Sequence, residues 1–459
     1  MGRRIDSGTH CRESRNAMNS NSPSIPAGCP AHASSVDSAV AELMTLDPDR
    51  VRCPYPVYEQ LRQEAPVYWS ERLQSYVVSR YADIAAILTK PKLFSSIRQS
   101  GPSSVTALAQ RLIDDADTPE LLKKQAARRL DVSGRPTLIN ADPPVHVRQR
   151  KLVSQGFSPR RVVLMEPEVR QIASDLFDKF EARGSMDFVA DFALPLPMTV
   201  IANVLGVPPS RMADFKRWSD AFTRGVGALD LSIDQIQQIF GAVDEFYDYF
   251  TEQIEERRTE PRDDLLTDIV AARLDGEQPL LLNEMLHMLS VFLVGGNETT
   301  TNLLTAITLR LLTDDELMTR IRNDASLIPK LVEEVVRLES PVQGLFRTAT
   351  ENTELNGTPI PEGSMIWTVF ASGNRDPEAI TNPDDIELDG PNGSNHLAFG
   401  KGEHVCMGAS VARLEARIGI EMMLERFPNL RLASDELPPV HNSFILHGLQ
   451  RLDVVNTPR

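Results

Sequence analysis

Phe399-Gly400-Lys401-Gly402-Glu403-His404-Val405-Cys406-Met407-Gly408 places a cysteine in a glycine-punctuated loop that leads directly into a helical pattern. The glycines permit positive φ and let backbone pass close to a flat group. Amide N–H groups at the start of a helix can donate to sulfur and favour its anionic form. An isolated cysteine is most often a small buried hydrophobe. Here the loop, the glycines and the helix start together favour a metal-bound thiolate at Cys406.

The chain has 459 residues, 41% of them hydrophobic and 24% charged, ample material for a buried core and, by length alone, for two or three domains. Its formal net charge of −16 argues against a nucleic-acid backbone as partner. The most apolar stretch, Leu286 to Val294, soon meets Asn297 and Glu298, so no membrane span is expected. Arg3 and Arg4 are followed by no apolar core of a secretory signal, and a cytoplasmic location is expected. Cys11, Cys29 and Cys53 lack CxxC spacing and suggest neither a disulfide framework nor a zinc cluster. The Cys-Pro pairs at Cys29 and Cys53 are read as incidental.

Residues 1–40 are assigned as a flexible tail, because the segment to about Val36 is rich in Ser, Asn, Pro and Gly. Residues 41–459 are assigned as one folded unit. Val67-Tyr68-Trp69 and Tyr76-Val77-Val78 read as paired strands, and Tyr81 to Leu88 as a helix. Apolar residues recur at helical spacing through Val162 to Phe180, Phe192 to Leu205, Ile233 to Ile254 and Leu281 to Leu312. Beyond Leu338, short β-branched runs and turn residues predict small sheets before a last helix from Met407 to Phe427. The fold class is mainly α with small β-sheets. Within the long helical pattern, Gly295-Gly296 should cost about 1 kcal/mol each relative to Ala. Such a cost predicts a local opening, where a Thr hydroxyl that turns toward it or bonds to a preceding carbonyl widens the helix and leaves space for a small ligand.

The cysteine segment resembles the haem-binding signature of the cytochrome P450 family, Phe-Gly-x-Gly-x-His-x-Cys-x-Gly, at all of its defining positions. The resemblance extends from about Pro54 to Val454. It implies a single triangular haem domain with a long central I-type helix, and haem b held by the Cys406 thiolate, with Phe399, Gly400, His404 and Gly408 around it. Gly295-Gly296-Asn297-Glu298-Thr299-Thr300 resembles the oxygen-activation motif of that family. By that resemblance Thr299 would hydrogen-bond dioxygen and Glu298 would relay protons to it. His146, Arg150, Arg347 and His404 resemble positions that bind the haem propionates, which need cationic or donor partners when buried; His396 reads as a loop histidine. Glu334 and Arg337 match a structural Glu-x-x-Arg pair, whose usual third member is missing or replaced by Asp385.

The resemblance further implies a pocket for a small-to-medium hydrophobic substrate. Its walls would include the loop before the helix of His146, the segment from Phe222 to Leu229, and Val291, Val294 and Gly295. Chain passing over the haem would add Val342, Gln343, Gly344, Ile445 and Leu446. The implied activity is monooxygenation, one atom of dioxygen entering a C–H bond, with electrons from a separate ferredoxin and ferredoxin reductase. A basic patch of Arg148, Lys151, Lys401, Arg413 and Arg417 is the expected docking face. A peroxide-driven haem-thiolate enzyme, or a haem sensor or hydrophobic-ligand carrier without catalysis, are the alternatives.

Overall fold

The computed structural model describes residues 35–97, 101, 105–224, 231–274, 276–390, 393 and 395–456. Folded chain begins earlier than residue 41. Helix α1 (Val36–Met44) starts at Ser35, whose side chain caps the amide of Ser38, and it buries Ala39, Val40, Leu43 and Met44. Residues 35–40 thus belong to the fold, because the apolar face of the helix finds a partner; the rest of the predicted tail lies outside the described residues. Cys53 is buried beside this helix and is disulfide-bonded. That corrects the reading of Cys53, since a disulfide needs spatial approach and not a particular sequence spacing; Cys11 and Cys29 lie outside the described residues.

The molecule is mainly helical. The helices that build its centre are α2 (Glu120–Ser133), α3 (Val145–Val153), α4 (Pro159–Arg183), α5 (Pro195–Val204), α6 (Met212–Arg224), α7 (Ile233–Thr259), α8 (Leu282–Thr313), α9 (Ile328–Glu339) and α10 (Ala409–Arg426). Strands β1 (Val67–Ser70), β2 (Ser75–Val78), β3 (Phe94–Ser95), β5 (Leu345–Ala349) and β8 (Met365–Thr368) form a sheet in the order β1-β2-β8-β5-β3. β1 and β2 pair antiparallel as predicted, Val67 opposite Val78. A second sheet joins β4 (Ser185–Asp187), β10 (Asp453–Asn456) and β9 (Leu430–Leu432), and β6 (Thr353–Leu355) pairs with β7 (Thr358–Ile360). No described helix is long and apolar enough to cross a membrane.

α8 is the spine. It is buried along most of its length although it is rich in threonine. The hydroxyls of Thr299, Thr301 and Thr305 donate to the carbonyls of Gly295, Asn297 and Thr301 four residues earlier, so these three are satisfied within the helix. Gly295 and Gly296 do not interrupt the helix, and the Thr299 hydroxyl bonds to the preceding Gly295 carbonyl there. A Cβ at Gly295 would meet open space and one at Gly296 only ordinary contact with Ile201, so the pair leaves volume beside an unbroken helix.

α9 packs against α8 and α10 through Leu331, Val332 and Val335. Its polar side is closed by the fully buried pair Glu334–Arg337, 2.8 Å apart. Arg337 also donates to the carbonyls of Asn374, Pro383 and Asp385, while the Glu387 amide donates to Glu334. The Glu387 amide thus supplies Glu334 with the donor that the missing third member would give, and Asp385 takes part through its main-chain carbonyl, as an acceptor for Arg337. The C-terminal segment then crosses α8, with bridges Val342–Leu446 and Val440–Leu449. At Gly448 a Cβ would come within 2.0 Å of the Asn302 amide oxygen, so only glycine fits that crossing.

Candidate active site

A cavity of about 300 Å³ lies between α8 and the loop that enters α10. Phe399, Gly400, His404, Cys406 and Gly408 form one wall, and Val291, Gly295 and Thr299 of α8 another. Gly400 and Gly402 take φ of 71° and 72°, which turns the loop so that the Cys406 amide donates to the Phe399 carbonyl at 2.8 Å. Cys406 is enclosed by protein, and the surface that it exposes is cavity wall. Burial raises its thiol pKa; amides of Gly408 and Ala409 at the start of α10, with the charges of Arg150 and Arg413, pull it back.

One end of the cavity is crowded with donors. α3 contributes His146 and Arg150 one turn apart, β5 contributes Arg347, and the cysteine loop contributes His404. The rings of His146 and His404 lie 4.0 Å apart, yet His146 Nδ1 and His404 Nε2 have no hydrogen-bond partner. Burial, followed by the charges of neighbouring His146, Arg347 and Arg150, lowers His404 to about 3. Arg347 is likewise buried, and desolvation lowers it to about 10. Glu403 Oε1 lies 3.7 Å from both of those imidazole nitrogens, beyond hydrogen-bond reach, and among the described residues Arg347 donates only to the Phe346 carbonyl, so this end keeps unmet donors that a further anion would complete.

On α8, Thr299 faces the cavity and donates to the Gly295 carbonyl at 2.7 Å. Glu298 points elsewhere. Its Oε1 lies 3.3 Å from Nε2 of His441 in the C-terminal segment, with side-chain exposure of 12% for the acid and 34% for the histidine. Burial raises the Glu298 pKa, His441 and Lys216 lower it, and Asp220 raises it. The acid is thus an inner group tied to an outer one. A lone histidine in a Pro-rich segment offered no signal for this pairing.

The cytochrome P450 profile matches residues 109–450. The chain is 34% identical over 420 residues to cytochrome P450 107B1 of Saccharopolyspora erythraea, covering 90% of this chain and 98% of that protein. It is 35% identical over 350 residues to a steroid C26-monooxygenase of Mycobacterium tuberculosis, covering 76% and 93%. The solved structure of cytochrome P450 CYP109Q5 from Chondromyces apiculatus superposes with a TM-score of 0.76 at 34% identity, over 90% of this chain and 98% of that one. The chain belongs to the cytochrome P450 family. It is a P450 monooxygenase, and the family implies haem with a cysteine thiolate ligand.

The cavity fits that cofactor. Its wall offers a single thiol, and its end offers the cations and orphaned imidazole nitrogens that two carboxylates would satisfy. His146, Arg150, Arg347, Phe399, Gly400, His404, Cys406 and Gly408 all line it, as do Thr299, Val291, Gly295 and Val342. Leu138 and Ile139 come from the loop before α3.

Other expected residues lie away from this P450 cavity. Gln343 is a structural link whose side chain accepts from Tyr58 and donates to the Glu339 and Ser340 carbonyls. Gly344 is pressed against the Thr368 carbonyl. Ile445 and Leu446 are buried in the N-terminal apolar cluster, because the C-terminal segment turns toward Tyr58 and Trp367. Val294 and Phe222 pack into the cluster formed by α6, α7 and α8; residues 225–229 lie outside the described residues. The expected basic patch is largely neutralised: Arg148 pairs with Glu284, Arg413 with Glu333, and Arg417 with Glu166 and Glu421. Lys401 rests on Tyr81, and Lys151 is exposed. Sequence reading also missed Glu415, a buried cavity-wall carboxyl whose Oε2 has no partner and which burial raises to about 8.

Proposed function

We propose that Cys406 is the axial thiolate of haem b and that His146, Arg150, Arg347 and His404 hold its propionates. The observation that carries this reading is the convergence of one thiol, four donor side chains and Thr299 on a single cavity. When bound, thiolate-ligated haem supplies dioxygen cleavage and transfer of one oxygen atom to a C–H bond, the other leaving as water.

The protein supplies position and protons. Amides of Gly408 and Ala409 stabilise the anionic sulfur. Thr299, on the opposite wall, presents a hydroxyl beside the open volume left by Gly295. Glu298 brings protons from the His441 side toward Thr299, and its raised pKa suits a group that must both accept and release them. Apolar Val291, Val342 and Leu138 exclude water and fit a small-to-medium hydrophobic substrate. Electrons come, on this reading, from a separate ferredoxin and its reductase, approaching the face that carries Lys151 and Lys401.

The reduced, carbon-monoxide-bound absorption spectrum tests the assignment. Wild type and a Cys53→Ala variant should show the red-shifted Soret band of thiolate ligation, and Cys406→Ala should lack it. Retention of that band in folded Cys406→Ala protein would sink the proposal.

A further inference from the structure

Above the cavity, α2, α6, α7 and α8 enclose a cation that has no carboxylate. The Arg129 guanidinium lies 4.8 Å from the Phe222 ring centroid and 5.9 Å from that of Tyr247, and it donates to the Tyr247 hydroxyl at 2.5 Å. Its buried Nε has no acceptor, and among the described residues it forms no ion pair. The neighbouring Arg128 is different, held by Asp244 and Asp248.

His287 of α8 completes the group. The residue is 6% exposed, and its buried Nδ1 has no hydrogen-bond partner. Burial, then the charge of Arg129, lowers its pKa to about 3. The hydroxyl of Ser133 stands 3.4 Å from that of Tyr247. A guanidinium N–H, an imidazole N–H and phenolic and aliphatic hydroxyls are all donors here, and an unpaired cation with unmet donors is the complement of an anion.

Its place in the fold gives the ligand a shape. His287 lies one turn before Val291 and two before Gly295, both in the cavity wall. Thr299 follows twelve positions later, about 18 Å along α8.

We propose that Arg129, His287 and Tyr247 bind the carboxylate of a long-chain amphipathic substrate, whose apolar chain runs along α8 past Val291 to Thr299. The orientation of the reacting end rests on the function proposed above; the anion site itself does not. A carboxylate anchored at Arg129 leaves the far end of an extended chain at the oxidising centre.

Equilibrium binding to the haem-loaded protein tests the site without turnover, read by calorimetry and by the fluorescence of nearby Trp218. Tetradecanoate should bind more tightly than tetradecanol by about tenfold or more. Arg129→Met should remove that preference, Arg129→Lys should keep part of it, and His287→Leu should reduce it. Equal affinity for acid and alcohol in wild type overturns the proposal, and this arm needs no variant to fold. So does an unchanged preference in folded Arg129→Met protein. If the acid preference and its loss are found but no product forms with any electron donor, the anion site stands and the function proposed above fails. Oxidation next to the carboxylate would overturn the orientation.

Discussion

Glu298 reaches the surface through His441: their charged atoms are 3.3 Å apart, and the histidine is the more exposed of the two. Burial raises the Glu298 pKa, and His441 is the largest influence holding it down. His441→Gln should therefore raise it further. A folded pKa above the unfolded one contributes stability that is complete below the unfolded pKa and is lost as pH rises through the folded one. Relative to wild type, His441→Gln should lose stability progressively as pH rises through that window. Thermal unfolding across about pH 4 to about pH 8 measures it. In a Glu298→Gln background the same replacement should have no pH-dependent effect; a shift that persists there would rule out the coupling.

Thr299 should matter to proton use more than to substrate binding. Thr299→Ala removes the hydroxyl that faces the cavity while leaving α8 intact, since its bond to the Gly295 carbonyl is not part of the main-chain ladder. Product formed per dioxygen consumed should fall on the order of tenfold, hydrogen peroxide should take its place, and Thr299→Ser should recover most of the loss. Unchanged coupling in Thr299→Ala would remove the residue from the proton path.

Arg337 holds Glu334 and three carbonyls, and both side chains are fully buried. Removing it leaves a buried carboxylate unpaired, so Arg337→Ala should cost about 3–5 kcal/mol. Lysine cannot reproduce the fork that serves several acceptors, and Arg337→Lys should recover little. Chemical denaturation followed by circular dichroism decides this, and a loss below about 1 kcal/mol would refute it.

Docking should depend on fewer charges than the sequence suggests. Arg413 and Arg417 are engaged by Glu333, Glu166 and Glu421, so their removal should act mainly on stability. Lys151→Glu should raise the KM for a ferredoxin several-fold at low salt, with the difference shrinking toward 1 M salt. Equal KM values at low salt would exclude this face.

The haem end of the site was legible because its residues sit in short local patterns. His146 and Arg150 are one helical turn apart, and His404, Cys406 and Gly408 share one loop, so spacing alone nearly fixes their relative positions. Residues brought by tertiary approach were not legible. Ile445 and Leu446 lie on a segment whose path is set by packing against Tyr58 and Trp367, and nothing in their own sequence says which side they face. Glu415 occupies an ordinary helical position, and its burial comes from tertiary packing. The paired arginines of the expected patch illustrate the same limit: a positive charge is visible in sequence, whereas its neutralisation by Glu166 or Glu333 is not.

Gly448 gives the C-terminal segment an unusual mechanical status. With no room for a side chain against Asn302, even Gly448→Ala would have to lift the crossing strand from α8. The strand that rises there also carries His441 toward Glu298 and Leu446 toward Val342. A single methyl group would thus loosen the Glu298–His441 contact and the packing of Leu446 on the cavity-wall residue Val342 in one movement, making this crossing a fulcrum on which neither can drift without the other.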